Sequence, residues 1–93
     1  MGARSGELPL SSRGKAKILR VLYSLGEVNI TRIVRETRLN HRAVSRHLRE
    51  MTEAGLVIER TLGRSKLYSL NYADPRVLAL RDALEALEEV GWT

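Results

Sequence analysis

Apolar residues recur every three or four positions through the first half of the chain, then every second position, and then at helical spacing again. Ile18, Val21, Leu22 and Leu25 predict a helix capped by Ser11 or Ser12 and stopped by Gly26. After a short extended piece over residues 27–30, Thr31 is a suitable cap for a second helix over 32–37, with Ile33 and Val34 turned inward. Val44, Leu48 and Met51 form the stripe of a third helix over 41–54, about 20 Å long at 1.5 Å per residue. Its cap is Asn40 and its stop Gly55. Past Gly55 the period falls to two: residues 56–62 and 66–71 predict strands joined at Gly63-Arg64-Ser65, a hairpin. Asp74-Pro75 then opens a last helix, a capping carboxylate followed by proline at the first helical position. The first ten residues, with Gly2, Ser5, Gly6 and Pro9, predict a loose arm.

The chain of 93 residues suits one small domain and carries a formal charge of +5, unevenly spread. Residues 1–73 hold 14 Lys/Arg against 6 Asp/Glu, and residues 74–93 hold 2 against 5. The basic body points to a polyanionic partner, and 13 of the 16 basic residues are arginines, whose planar fork suits phosphates and guanine edges. There is no cysteine, so neither a disulfide framework nor a thiolate metal site is expected. No apolar run approaches a membrane span, and no segment reads as a signal peptide, so an intracellular, cytoplasmic protein without a membrane partner is expected.

On the third helix, Arg42, Arg46 and Arg49 lie opposite the apolar stripe, leaving one face for a core and one for an anion. Only Arg38-Leu39-Asn40 links this helix to the second. Two short helices across such a turn form a helix-turn-helix, whose second member enters the major groove of DNA. Arg42 and Arg46, in the first half of the outward face, are the candidates for base edges. His41 and Ser45 suit a phosphate or a base, and Arg49 suits the backbone. Arg38 and Asn40, in the turn and at the helix start, complete the DNA-facing set. The hairpin puts Arg60, Arg64 and Lys66 where they would grip the sugar-phosphate backbone. His47 lies at the edge of the apolar stripe, out of register with His41 for a shared metal, and is expected to pack or hydrogen-bond.

Residues 40–71 include Ala43-Val44-Ser45-Arg46-His47-Leu48, Glu53-Ala54-Gly55-Leu56-Val57, Gly63-Arg64 and Tyr68-Ser69-Leu70. In this combination the stretch resembles the winged helix-turn-helix regulators of the ArsR and MarR type. The resemblance implies a mainly α fold with a small β-hairpin, an α+β winged helix-turn-helix of three core helices, a wing and a C-terminal helix. It further implies a dimeric transcriptional regulator, with repression the expected mode. The metal sensors of that group use helix cysteines, so metal sensing does not carry over, and Arg38 stands where these regulators often have glycine.

The expected organisation is therefore an arm over residues 1–10, a DNA-binding domain over 11–72 and a C-terminal helix over 73–93. That helix places Val77, Leu80, Leu84 and Leu87 at spacings of 3, 4 and 3, a seam too short to stand alone that either folds back on its own domain or, as favoured here, pairs with a second copy. Leu78, off the seam, would hold the helix to its own body, and Trp92 would cover the end of the interface. No phosphate loop, nucleophile arrangement or carboxylate constellation supports an enzyme, and no cofactor is implied. The partners expected are double-stranded DNA and self, with any small-molecule effector unknown. The competing reading is a winged-helix module that binds protein or RNA, since a basic face alone does not separate DNA from RNA.

Overall fold

Local caps and stops divide the chain much as its apolar pattern does. The computed structural model describes residues 12–91, in the order α1 (Arg13–Leu25), β1 (Val28–Asn29), α2 (Ile30–Thr37), α3 (His41–Glu53), β2 (Val57–Leu62), β3 (Ser65–Leu70) and α4 (Pro75–Glu89). The arm expected over residues 1–10, the alternative cap Ser11 and the role of Trp92 fall outside the described residues. Ser12 caps α1, its side chain accepting from the Lys15 amide at 3.3 Å. At the other end Gly26 takes φ +80° and its amide closes on the Leu22 carbonyl.

The second helix starts two residues earlier than its sequence suggests. Asn29, not Thr31, is the cap, with Oδ1 accepting from the Arg32 amide at 2.9 Å. Ile30 packs against the core, so burial favours drawing it into the helix and leaves Thr31 inside the first turn. The extended piece before it becomes a real strand, because Val28 and Asn29 pair with Tyr68 and Leu67 of β3. The sheet is antiparallel and three-stranded, in the order β1-β3-β2.

The hairpin turn is tighter than expected. Leu62 pairs with Ser65, so the turn is the two residues Gly63 and Arg64, and Ser65 belongs to β3. Gly63 has φ +62° while Arg64 stays at negative φ, the pattern of a type II′ turn, which matches strand twist. Arg38 is the only described non-glycine with positive φ, at 61°. This left-handed conformation costs an L-residue roughly 1–2 kcal/mol. It is held by the Arg38 amide on the Val34 carbonyl at 2.8 Å and by Thr37, whose Oγ1 donates to Ile33 O and accepts from the Leu39 amide.

Ile18, Leu19 and Leu22 of α1 meet Ile33 of α2 and Val44, Leu48 and Met51 of α3, with Leu56 before β2 and Val57, Tyr68 and Leu70 of the sheet closing the core. The last helix corrects the seam. Val77 and Leu80 are 0% and 8% exposed within the single chain and belong to this same core, and Leu84 packs partly against it. They therefore hold α4 to its own domain rather than waiting for a partner. Leu78, expected to do that work, is outside the core cluster, and only Leu87, 40% exposed, remains open from the predicted seam. At the far end of α4, Tyr23 Oη donates to Glu88 Oε1 at 3.1 Å.

Candidate nucleic-acid interface

The third helix is built by local signals and fixed by its inner face. Asn40 Oδ1 accepts from the Ala43 amide at 2.7 Å, satisfying one orphan donor of the first turn. Val44, Leu48 and Met51 are buried, which turns the opposite side of α3 outward. On that side His41, Arg42, Ser45, Arg46 and Arg49 line a single open groove of about 510 Å³. These are the five helix residues singled out by spacing, and no carboxylate lines the groove with them. Glu50, on the same helix, is held away: Lys15 Nζ of α1 binds its Oε1 at 2.8 Å and keeps its carboxyl below the usual carboxylate range.

The wing distributes its cations differently. Arg64 occupies the turn and pairs with no described residue. Arg60 grips Glu27 with both arms of its fork, Nε to Oε2 at 2.9 Å and Nη2 to Oε1 at 2.6 Å. Lys66 Nζ lies 3.8 Å from Glu59 Oε2. Of the three, Arg60 and Lys66 therefore meet a carboxylate in the free chain, and Arg64 meets none among the described residues. Arg38 is exposed but borders a different groove, between α1 and the end of α2. Asn40 has its oxygen engaged as a cap, leaving only its amide hydrogens for a ligand.

His47 faces α1 rather than the groove. A Cβ on Gly14 would stand 2.7 Å from His47 Nε2, so the imidazole lies against the bare backbone of residue 14 and would have to shift to admit a side chain there. His47 Nδ1 is buried without a hydrogen-bond partner among the described residues. Burial lowers the imidazole pKa, and the charges of Arg46 and Lys15 push it further down. Among the described residues no group of three or more His, Asp or Glu could hold a metal ion. No described helix is long and apolar enough to cross a membrane.

The sequence reading missed a cluster at the exit of α3. Arg76 Nη2 donates to the Ala54 carbonyl at 2.8 Å, and Asn71 Nδ2 donates to the Gly55 carbonyl at 2.8 Å. Asp74 holds Arg76 through Nε at 2.9 Å and accepts from the Arg76 amide at 2.8 Å, so its carboxyl pKa falls to about 2. One signal was available: an arginine in the first turn of a helix opposes the macrodipole and calls for a local reason. The reason is the negative end of α3, to which the guanidinium is bound.

Three core helices, the second and third joined through a left-handed turn and followed by a β-hairpin, define a winged helix-turn-helix domain. The model of the arsR family of bacterial regulatory proteins matches residues 12–59, just over half of the chain. The chain belongs to that family of DNA-binding transcriptional regulators. It is similar to a possible transcriptional regulator for arsenical resistance, at 31% identity over 80% of this chain and 77% of that one, with a TM-score of 0.65. It also resembles a homodimeric winged helix-turn-helix DNA-binding domain from Mycobacterium bovis, at 25% identity, 86% and 71% coverage and a TM-score of 0.69. A predicted DNA-binding transcriptional regulator from E. coli aligns at 28% identity, 84% and 80% coverage and a TM-score of 0.72. Among curated proteins, none matches the chain.

Proposed function

We propose that this regulator binds double-stranded DNA as a homodimer in the cytoplasm and represses transcription, with α3 in the major groove. The observation that carries this reading is the groove lined by His41, Arg42, Ser45, Arg46 and Arg49 without a carboxylate. Arg42 and Arg46 read base edges, where a bidentate arginine contributes roughly 1–3 kcal/mol of discrimination. Ser45 and His41 bond the neighbouring phosphate or base, Arg49 the backbone, and Arg38 and Asn40 the flank beside the turn. On the wing Arg64 makes the main backbone contact. Arg60 and Lys66 add positive potential while staying with their carboxylates.

The homodimeric relative supports a twofold, and a twofold matches a palindromic operator. The partner-facing side of α4 is the one left open: Ala79, Ala83, Ala86 and Val90 are exposed at spacings of 4, 3 and 4, with Leu87 beside them. Val90, at 76% exposure, marks its end. Ala83→Arg with Val90→Arg therefore yields a folded monomer by light scattering, whereas Leu80→Asp lowers the melting temperature through the core. Fluorescence anisotropy with mixed duplex DNA and RNA hairpins at two salt concentrations tests the ligand. Salt-sensitive binding to the duplex DNA is expected; binding to the hairpins alone, or to neither, sinks the reading.

A further inference from the structure

Two elements with different tasks meet at the exit of α3. The recognition helix ends at Glu53, and α4, the helix left with an open outer side, begins at Pro75. Between them the chain runs out and back through the wing, yet the two ends are tied directly. Arg76 bridges them by holding Asp74 on its own helix and the Ala54 carbonyl at the end of α3. Asn71 makes a second tie to the Gly55 carbonyl, is joined through its amide to Leu56 O at 3.0 Å, and accepts from the Ala73 amide with Oδ1. Gly55, whose φ of +84° turns the chain between the two ties, lies directly beside the guanidinium: the position of its missing Cβ is 3.7 Å from Arg76 Nη2, an ordinary contact. The side chains of Arg76 and Asp74 are largely shielded, at 22% and 14% exposure.

We infer that Arg76 is a positioning residue for operator binding: it locks the angle between the recognition helix and α4, and so fixes the separation of the two recognition helices in the dimer. The inference rests on the dimer proposed above. A fork that serves a carboxylate and a helix-terminal carbonyl at once defines a direction as well as a distance, which a single ammonium on a flexible stem does not. A palindrome is read only if the two helices stand a whole number of DNA turns apart, about 34–36 Å for one turn. A small swing of α3 on α4 would be doubled across the twofold. Arg76 contributes no base contact in this account. It converts two independent half-site readers into one reader of fixed span.

The test compares the wild type with Arg76→Gln and with Arg76→Lys, which keeps the charge and removes the fork. Duplexes selected by the wild type from a randomised pool supply three probes: the full palindrome, the palindrome with two base pairs added between its halves, and a single half-site. The wild type is expected to prefer the selected spacing by about tenfold or more, within the usual range of coupling between sites. Both variants are expected to remain dimers by light scattering, to bind the half-site within about twofold of the wild type, and to discriminate spacing by less than about threefold. Variants that keep the wild-type spacing preference overturn the inference. So do variants that lose half-site and palindrome affinity by the same factor, because Arg76 then merely supports the fold. A monomeric wild type overturns the inference together with the dimer reading, and light scattering separates that failure from the others.

Discussion

Arg46 and Arg60 carry the same charge on neighbouring parts of one small domain, yet their surroundings differ. Arg46 lines a groove of basic and polar side chains on α3. Arg60 has both arms of its fork on Glu27. A guanidinium without a partner is hydrated and exchanges water for phosphate with a gain from counterion release. One already bonded to a carboxylate must first give up that partner. The basic balance of residues 1–73 therefore overstates what is offered to an anion, and the positions of the carboxylates decide where it is offered.

The largest expected effect tests the open side of that contrast. Arg42→Ala with Arg46→Ala should lower affinity for a selected operator by roughly 1–3 kcal/mol per arginine in anisotropy titrations. Arg60→Ala should change the same affinity less than about threefold; an equal loss would erase the distinction between open and occupied arginines. A finer test lies within the wing. Arg64→Ala should flatten the slope of log affinity against log salt by about 0.9, on operator and random duplex alike. Arg60→Ala should leave the slope where it was, and Glu27→Gln, which frees Arg60, should steepen it. If Arg60→Ala flattens the slope as Arg64→Ala does, phosphate outcompetes Glu27.

Held groups also leave a trace in acid. The Asp74 carboxyl ionises at about 2 in the folded chain against an ordinary 3.8, so its contribution to stability is complete above 3.8 and is lost as pH falls from there towards 2. His47 titrates below its ordinary 6.5. Above 6.5 it is neutral whether folded or unfolded, and below that the unfolded chain takes up the proton first, so stability falls as pH drops beneath 6.5. Melting temperatures across pH should show both phases, with His47→Gln removing the upper one and Asp74→Asn the lower. Identical profiles for all three proteins would contradict these assignments. The smallest expected effect concerns Arg38. Arg38→Gly relieves roughly 1–2 kcal/mol of left-handed strain but frees the unfolded chain by about 0.4–1 kcal/mol. Its melting temperature should therefore rise only slightly, while DNA affinity falls by one surface charge.

What could be read from the sequence follows from how far apart the cooperating residues lie. Helix α3 was legible as an element, because Asn40, the stripe Val44-Leu48-Met51 and Gly55 act within one stretch. The turn at Arg38 was marked only by the resemblance, which puts glycine there and leaves a strained or an altered turn open; the left-handed φ of 61° settles which. Where two local solutions competed, as between Asn29 and Thr31 for one cap, tertiary burial of Ile30 decided, and nothing local records that. The α4 stripe illustrates a further limit: periodicity gives the face that is buried, not what buries it. Val77 and Leu80 would show the same spacing against a second copy as against their own core. Side-chain ties across long loops are the least visible, with Glu27 and Arg60 separated by 33 positions and Arg76 and the Ala54 carbonyl by 22.

The sheet order β1-β3-β2 leaves β2 with no neighbour on its outer side among the described residues, and Ile58 and Leu62 along it are 45% and 57% exposed. Such a margin is a template on which another extended chain can crystallise its hydrogen bonds. Here Glu59 and Arg60 interrupt it with charge, and β2 ends after six residues. The charges of Glu59 and Arg60, which pair with Lys66 and Glu27, thus also stand guard on this edge against another strand. A wing made stickier for nucleic acid by deleting Glu27 and Glu59 would be one step closer to joining its neighbours into fibres.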